Sequence, residues 1–254
     1  MTTKSRRAVT TLSILMILAS LVAPARVEAL ECGDVNQSGG VLASDALEVL
    51  RASVGLVELA CPAGLPATGA ATPYGIGSDG DLQSGSGLSY VDNGDGTVTD
   101  LSTGLMWEKK DDNPTPTIHD KDNTYSFSSG GSLMDGTMKT VFLDTLNDVG
   151  GGGTNCFAGH CDWRIPNSME LYSLFDAEGS GPAVDPAFHQ SATCTGCTDV
   201  SIATCSCTAL EHYWSSTTAA TGPNDASYVD FDSGVVDNDG KDNGLRVRAV
   251  RGAL

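Results

Sequence analysis

The chain has 254 residues with 14 basic and 32 acidic side chains, a formal charge of −18, and 6% aromatic residues against 30 glycines. Such an acidic surface repels nucleic acid and anionic lipid and disfavours sulfated polysaccharide as a bulk partner. The length allows one substantial domain and a small appendage, with long stretches of turn.

Residues 1–29 carry Lys4, Arg6 and Arg7, then an apolar run from about Leu12 to Ala23, and end on the small residues Val27 and Ala29. This is the pattern of a secretory signal cleaved after Ala29. The run is shorter than the roughly 20 apolar residues a membrane helix needs, Pro24 and Arg26 close it, and no later segment is apolar enough to span a membrane. Loss of Lys4, Arg6, Arg7, Arg26 and Glu28 leaves 10 basic and 31 acidic residues, a formal charge of −21. Export to the medium, the cell surface or the periplasm is an oxidising destination, where the eight cysteines are expected to pair.

Residues 30–62 read as a small unit bracketed by Cys32 and Cys61. Asp34, Asn36, Ser38 and Asp45 occupy positions 1, 3, 5 and 12 of a loop, with a turn-forming glycine at position 6 and the Gly40 carbonyl at position 7. Calcium prefers six to eight oxygens wrapped around it by a tight backbone, so this spacing predicts a calcium site. Asp45 then starts a helix with Ala46, Leu47, Leu50, Val54 and Val57 near one face. The segment resembles one half of a dockerin, whose ligand positions fall on Asp34, Asn36, Ser38 and Asp45. Dockerins carry two such loops and no second one follows, so cohesin is not the expected partner.

Residues 63–87 are rich in Gly, Ala, Ser, Thr and Pro, and read as a linker or as irregular chain laid over the next domain. Residues 88–254 form the large domain. Asn93-Gly94-Asp95-Gly96 predicts a hairpin turn between strands at 90–92 and 97–100, and Ser102-Thr103-Gly104 leads to a third strand near Trp107. Asp92, Asp95 and Asp100 read as turn and flanking residues. Apolar positions 141, 142, 143, 146 and 149 suit one amphipathic helix, and 167–175 suits another, capped by Asn167 or Ser168. Strands return at 228–231, 235–236 and 245–250, where alternation puts Arg246 and Arg248 on one face. The order of strands, two helices, irregular middle and strands predicts an α+β fold.

Several segments together resemble the Lcl C-terminal (DUF1566) family. They are Asp92 to Asp100 with Thr103 to Trp107; Asp162-Trp163-Arg164-Ile165-Pro166-Asn167 with Glu170-Leu171; Tyr213-Trp214-Ser215-Ser216-Thr217; Val229-Asp230-Phe231; and Val247 to Gly252. The resemblance covers about residues 88–252 and implies a C-type lectin-like fold, a twisted antiparallel sheet with two helices and long loops. It also implies a surface adhesin that binds glycan. Formylglycine-generating enzymes share a distant fold, but no catalytic cysteines carry over from them.

Trp107, Trp163 and Trp214 are expected mainly as core, with Trp214 the candidate for stacking on a sugar. Arg164 and Glu170 are expected to pair at the helix entrance, and Arg246 and Arg248 are candidates for holding an anion. Asp230, Asp232, Asp237, Asp239 and Asp242 make a candidate second cation site, because clustered carboxylates repel unless exposed or bridged. Cys156 and Cys161 are placed to staple the approach to Trp163. Cys194, Cys197, Cys205 and Cys207 have the look of a zinc site, yet export favours two disulfides joining the first two to the last two.

No catalytic zinc spacing, nucleophile elbow or phosphate loop is present. The expectation is a non-enzymatic protein of the cell exterior that binds glycan or a surface component, with calcium as cofactor. The alternative is a surface assembly protein that associates with itself or a partner, and a polysaccharide hydrolase ranks below both.

Overall fold

A computed structural model of the protein describes residues 65–190 and 194–252, all within the compact unit Pro62–Leu254. The signal segment, the calcium loop with Asp34, Asn36, Ser38, Gly40 and Asp45, and the Cys32 and Cys61 pair lie outside the described residues.

Strands β1 (Tyr90–Asp92), β2 (Thr97–Asp100) and β3 (Met106–Glu108) form an antiparallel meander. Glycine supplies the left-handed conformations of its first turn, with φ of 74° at Gly94 and 94° at Gly96. Asp92 and Asp95 accept from the backbone N–H groups of Gly94 and Thr97, and Asp100 accepts from that of Ser102, so these acids shape turns. The last strand, β9 (Val250–Arg251), returns to pair with β3, giving a four-stranded sheet in the order β1-β2-β3-β9.

The remaining strands make two smaller antiparallel sheets. One joins β4 (Tyr125–Ser126) to β8 (Gly244–Leu245). The other has the order β5-β6-β7, built from β5 (His212–Thr218), β6 (Asp225–Asp230) and β7 (Val236–Gly240). Small helices and antiparallel sheets together make an α+β fold.

The core has two halves. Val98, Trp107, Leu171, Phe188, Tyr213, Val229 and Val250 fill one, and Phe127, Met138, Phe142, Trp163, Trp214 and Ala249 fill the other. Neighbours along a strand point to opposite faces, so Tyr213 enters one half and Trp214 the other, as do Val250 and Ala249. β5 and the chain end therefore stand between two apolar layers.

Between β4 and β5 lie α1's successors in the chain, α1 itself (Asp79–Leu82) preceding β1. A π-helix, Met138–Leu143, runs into α2 (Asp144–Leu146) in place of the α-helix expected at 141–149. The wider turn buries Met138, Phe142 and Leu146 four residues apart and leaves Val141 and Val149 exposed. α3 (Ser168–Tyr172) is capped by Asn167, whose side chain accepts from the N–H groups of Met169 and Glu170 while Glu170 accepts from that of Asn167.

Residues 65–87 are laid over the domain. Ala67 donates to the Ser86 carbonyl, and Ala71 and Thr72 donate to Glu178 at 3.0 and 2.8 Å. Among the described residues no helix is long and apolar enough to cross a membrane.

Candidate functional site

Trp214 is fully buried, its indole N–H donating to the Tyr125 carbonyl at 2.9 Å, so it offers no surface for a sugar. Arg248 is buried as well, its donors taken up by protein acceptors. Its guanidinium lies over the Phe188 ring and donates to the Glu108 carbonyl (2.8 Å), the Cys207 carbonyl (2.9 Å) and Thr208 Oγ1 (2.9 Å). Trp214 lies on a strand covered on both faces and Arg248 in the buried stretch between β8 and β9, so neither reaches solvent, which corrects both expectations.

The five C-terminal carboxylates do not converge, and among the described residues no group of three or more His, Cys, Asp or Glu side chains is placed to hold a metal. Asp230 shapes the turn to β7 by accepting from the N–H of Asp232. Asp237 and Asp239 lie on β7, an edge strand, and each accepts from the N–H of the next residue, Asn238 and Gly240, at 2.8 Å. Asp232 and Asp242 are exposed.

The cysteines pair as Cys156–Cys161, Cys194–Cys207 and Cys197–Cys205, two nested bridges in the last case, so these thiols are not zinc ligands. Arg164 and Glu170 form a bidentate ion pair at 2.7 Å for each bond. Burial would raise the Glu170 carboxyl, but Arg164 and the Asn167 N–H outweigh it and hold it below its usual range.

A buried polar layer ties the nested disulfide loop to the four-stranded sheet. Glu108 Oε1 lies 2.9 Å from Lys110 Nζ and 2.8 Å from His119 Nδ1, while Oε2 accepts from the Ala249 N–H. Burial alone would push the Glu108 carboxyl up; Lys110 and the hydrogen bond from His119 prevail and keep it low. The backbone N–H of Cys207 donates to the Lys110 carbonyl, that of Asp112 donates to the Cys197 carbonyl, and the Lys109 ammonium donates to the Ile202 carbonyl at 2.9 Å. These bonds fix one wall of a cleft.

The cleft encloses about 320 Å³. Asp112, Lys121 and Asp122 enter it from the β3–β4 loop, His189 from the loop after α3, Glu211 from the end of the disulfide loop and Arg246 from the residue after β8. Lys121 pairs with Asp122 at 2.7 Å and Asp112 at 3.2 Å, and Arg246 pairs with Glu211 at 3.5 Å. His189 Nδ1 accepts from the Thr208 N–H, so the neutral ring carries its proton on Nε2. Burial, with Arg248 and Lys121 nearby, lowers the His189 pKa and favours that neutral form. His189 Nε2 and Arg246 Nε are buried away from solvent without a hydrogen-bond partner.

Residues 96–251, more than half of the chain, match the family model of the Lcl C-terminal domain. The chain belongs to this family. No curated protein matches it. The Lcl C-terminal domain places its motif residues in the framework: Trp163 donates to the Phe157 carbonyl, Asp162 pairs with Arg251 at 2.8 and 3.1 Å, and Trp107 and Trp214 fill the two core halves. Of the cleft residues, the sequence points to Arg246 and Cys194. Asp112, Lys121, Asp122, His189 and Glu211 come from three segments of the Lcl C-terminal domain and share no spacing that a linear pattern could reveal.

Proposed function

We propose that this is an exported, non-enzymatic recognition protein of the cell exterior that takes a glycan in the polar cleft of a C-type lectin-like domain. The observation that carries this reading is a polar cleft lined by the carboxylates of Asp112, Asp122 and Glu211 beside the N–H donors of Lys121 and Arg246. A sugar hydroxyl both donates and accepts, so one hydroxylated ligand answers both. The calcium loop at Asp34, Asn36, Ser38, Gly40 and Asp45 serves in this reading to attach or space the domain. The test is a glycan array with the full chain, with and without calcium, repeated with Arg246→Ala. Sugar binding lost in that variant supports the reading; an array blank in both conditions, or hydrolysis of an array sugar, defeats it.

A second reading is surface assembly. It is favoured by an apolar groove of about 410 Å³ between Leu65, Pro66, Leu105, Met169 and Tyr172, in which Leu65 and Met169 are largely exposed. Met169→Lys would then lower the mass measured by light scattering and leave glycan signals unchanged.

A further inference from the structure

The strap of residues 65–87 returns on itself. Its two ends are paired, the Ala67 N–H donating to the Ser86 carbonyl at 2.7 Å and the Ser86 N–H to the Leu65 carbonyl at 3.0 Å. The strap puts little into the core: Gly80 is its one buried residue, and Leu65, Tyr74, Ile76 and Leu82 all stand exposed. A segment with few buried apolar contacts opens at a lower free energy than the domain that carries it.

Away from its ends, the strap is held to the domain through residues 176–178. The Ala177 N–H donates to the Thr68 carbonyl at 2.8 Å. Asp176 lies against Gly69, whose φ of 82° and missing Cβ leave room for the carboxylate. The Glu178 carboxylate accepts from the N–H groups of Ala71 and Thr72 and, at 3.2 Å, from Thr72 Oγ1. We infer that Glu178 is an acid-sensitive clasp: protonating it frees the strap as a unit and removes the wall that Leu65 and Pro66 give to the apolar groove.

Three donors converge on one ionised group, and charge-assisted bonds are roughly twice as strong as neutral ones. These bonds hold the Glu178 carboxyl below its ordinary value of 4.5. The released strap therefore binds the proton more tightly than the fastened one. The attachment is fully present above pH 4.5 and is lost as pH falls through the lowered value. The strap's own titratable side chains are Tyr74, Asp79 and Asp81, and Asp176 stands beside Glu178. Asp79 accepts from Thr68 Oγ1 and Asp81 from the Gly77 N–H, so both close the strap on itself. Neither 65–87 nor 176–178 contains a Lys, Arg or His, so no basic side chain of either segment keeps the clasp ionised in acid.

The experiment is amide hydrogen exchange on the full chain, expressed as protection over the unstructured rate, at about pH 6 and about pH 3.5, on either side of the ordinary glutamate value. Protection at Ala71 and Thr72 is expected to fall several-fold in acid, together with that at Ala67, Ser86 and Ala177. The amides of Glu108 and Arg164, bonded to the Ala249 and Val250 carbonyls, stay protected. Glu178→Gln places an uncharged acceptor at an exposed position, and should show the acid level of protection already at the higher pH, with no further change. Wild-type protection that is the same at both pH values overturns the inference, as does a Gln variant that matches wild type at the higher pH. Loss confined to Ala71 and Thr72 makes Glu178 a local cap and overturns release of the strap. Loss shared by Glu108 and Arg164 assigns the acid effect to the whole domain and overturns it as well.

Discussion

Glu108 is the residue on which the largest single-site effect is expected. It is fully buried, and it neutralises Lys110, which is equally buried. Removing one partner of a buried pair leaves the other charged and unsolvated, which costs about 3–5 kcal/mol. Glu108→Gln is therefore expected to lower the unfolding free energy from urea titration by that amount at neutral pH, and a loss below about 0.5 kcal/mol, the size of a surface substitution, defeats the assignment. His189 sets a pH dependence of the opposite chemical type but the same sign. Its folded pKa lies below the unfolded value of about 6.5, so the unfolded chain binds more protons between the two. The stability it contributes is present above about pH 6.5 and is lost as pH falls toward the folded pKa. His189→Gln should flatten the stability profile across that window, and an unchanged slope would show that the ring titrates freely.

At the scale of elements, the edge strand β7 explains acids that look like metal ligands in the sequence. In the β6–β7 register Tyr228 faces Asp237 and Ser227 faces Asn238. The N–H of Asn238 and that of Gly240 are met by the preceding aspartates, which occupies donors that another strand could use. Replacing Asp237 and Asp239 by alanine is expected to promote self-association in light scattering, whereas asparagine at both positions, which still accepts hydrogen bonds, should preserve the wild-type mass. Equal behaviour of the two variants would assign the effect to charge. The turns and α3 were legible because their signals are local: Asn-Gly and Asp-Gly carry the positive φ, and Asn167 with Glu170 makes a capping box. The π-helix was not, because its face depends on what Met138 and Phe142 pack against, and a spacing of 141, 142, 143, 146 and 149 fits an α-helix equally well.

Across the whole molecule, the nested disulfides compensate for a loop with little secondary structure of its own. Cys194 and Thr208 line the cleft that Arg248 and Lys110 secure from below. Replacing Cys197 and Cys205 together by serine should cost about 2–4 kcal/mol by freeing the unfolded chain. It should also weaken glycan binding, because Asp112 is tied to the Cys197 carbonyl; intact affinity in that variant would show that the wall needs no bridge.

The sequence by itself determined the family through motifs in order, the α+β class, the hairpins, the Asn167 cap and the grouping of cysteines. Each depends on residues close in the chain, where backbone preference and short spacing act without a third party. Only the tertiary structure decided which faces are covered and what meets across loops. Alternation from Leu245 to Val250 predicts one strand, but the structure breaks this run into β8 and β9 with residues 247–249 in neither, and alternation cannot say that both faces are enclosed by separate core halves, which is why Arg248 and Trp214 are buried. The cleft is the clearest case: its acids, cations and His189 gather from segments far apart in the chain, and their chemistry exists only once packing has brought them together.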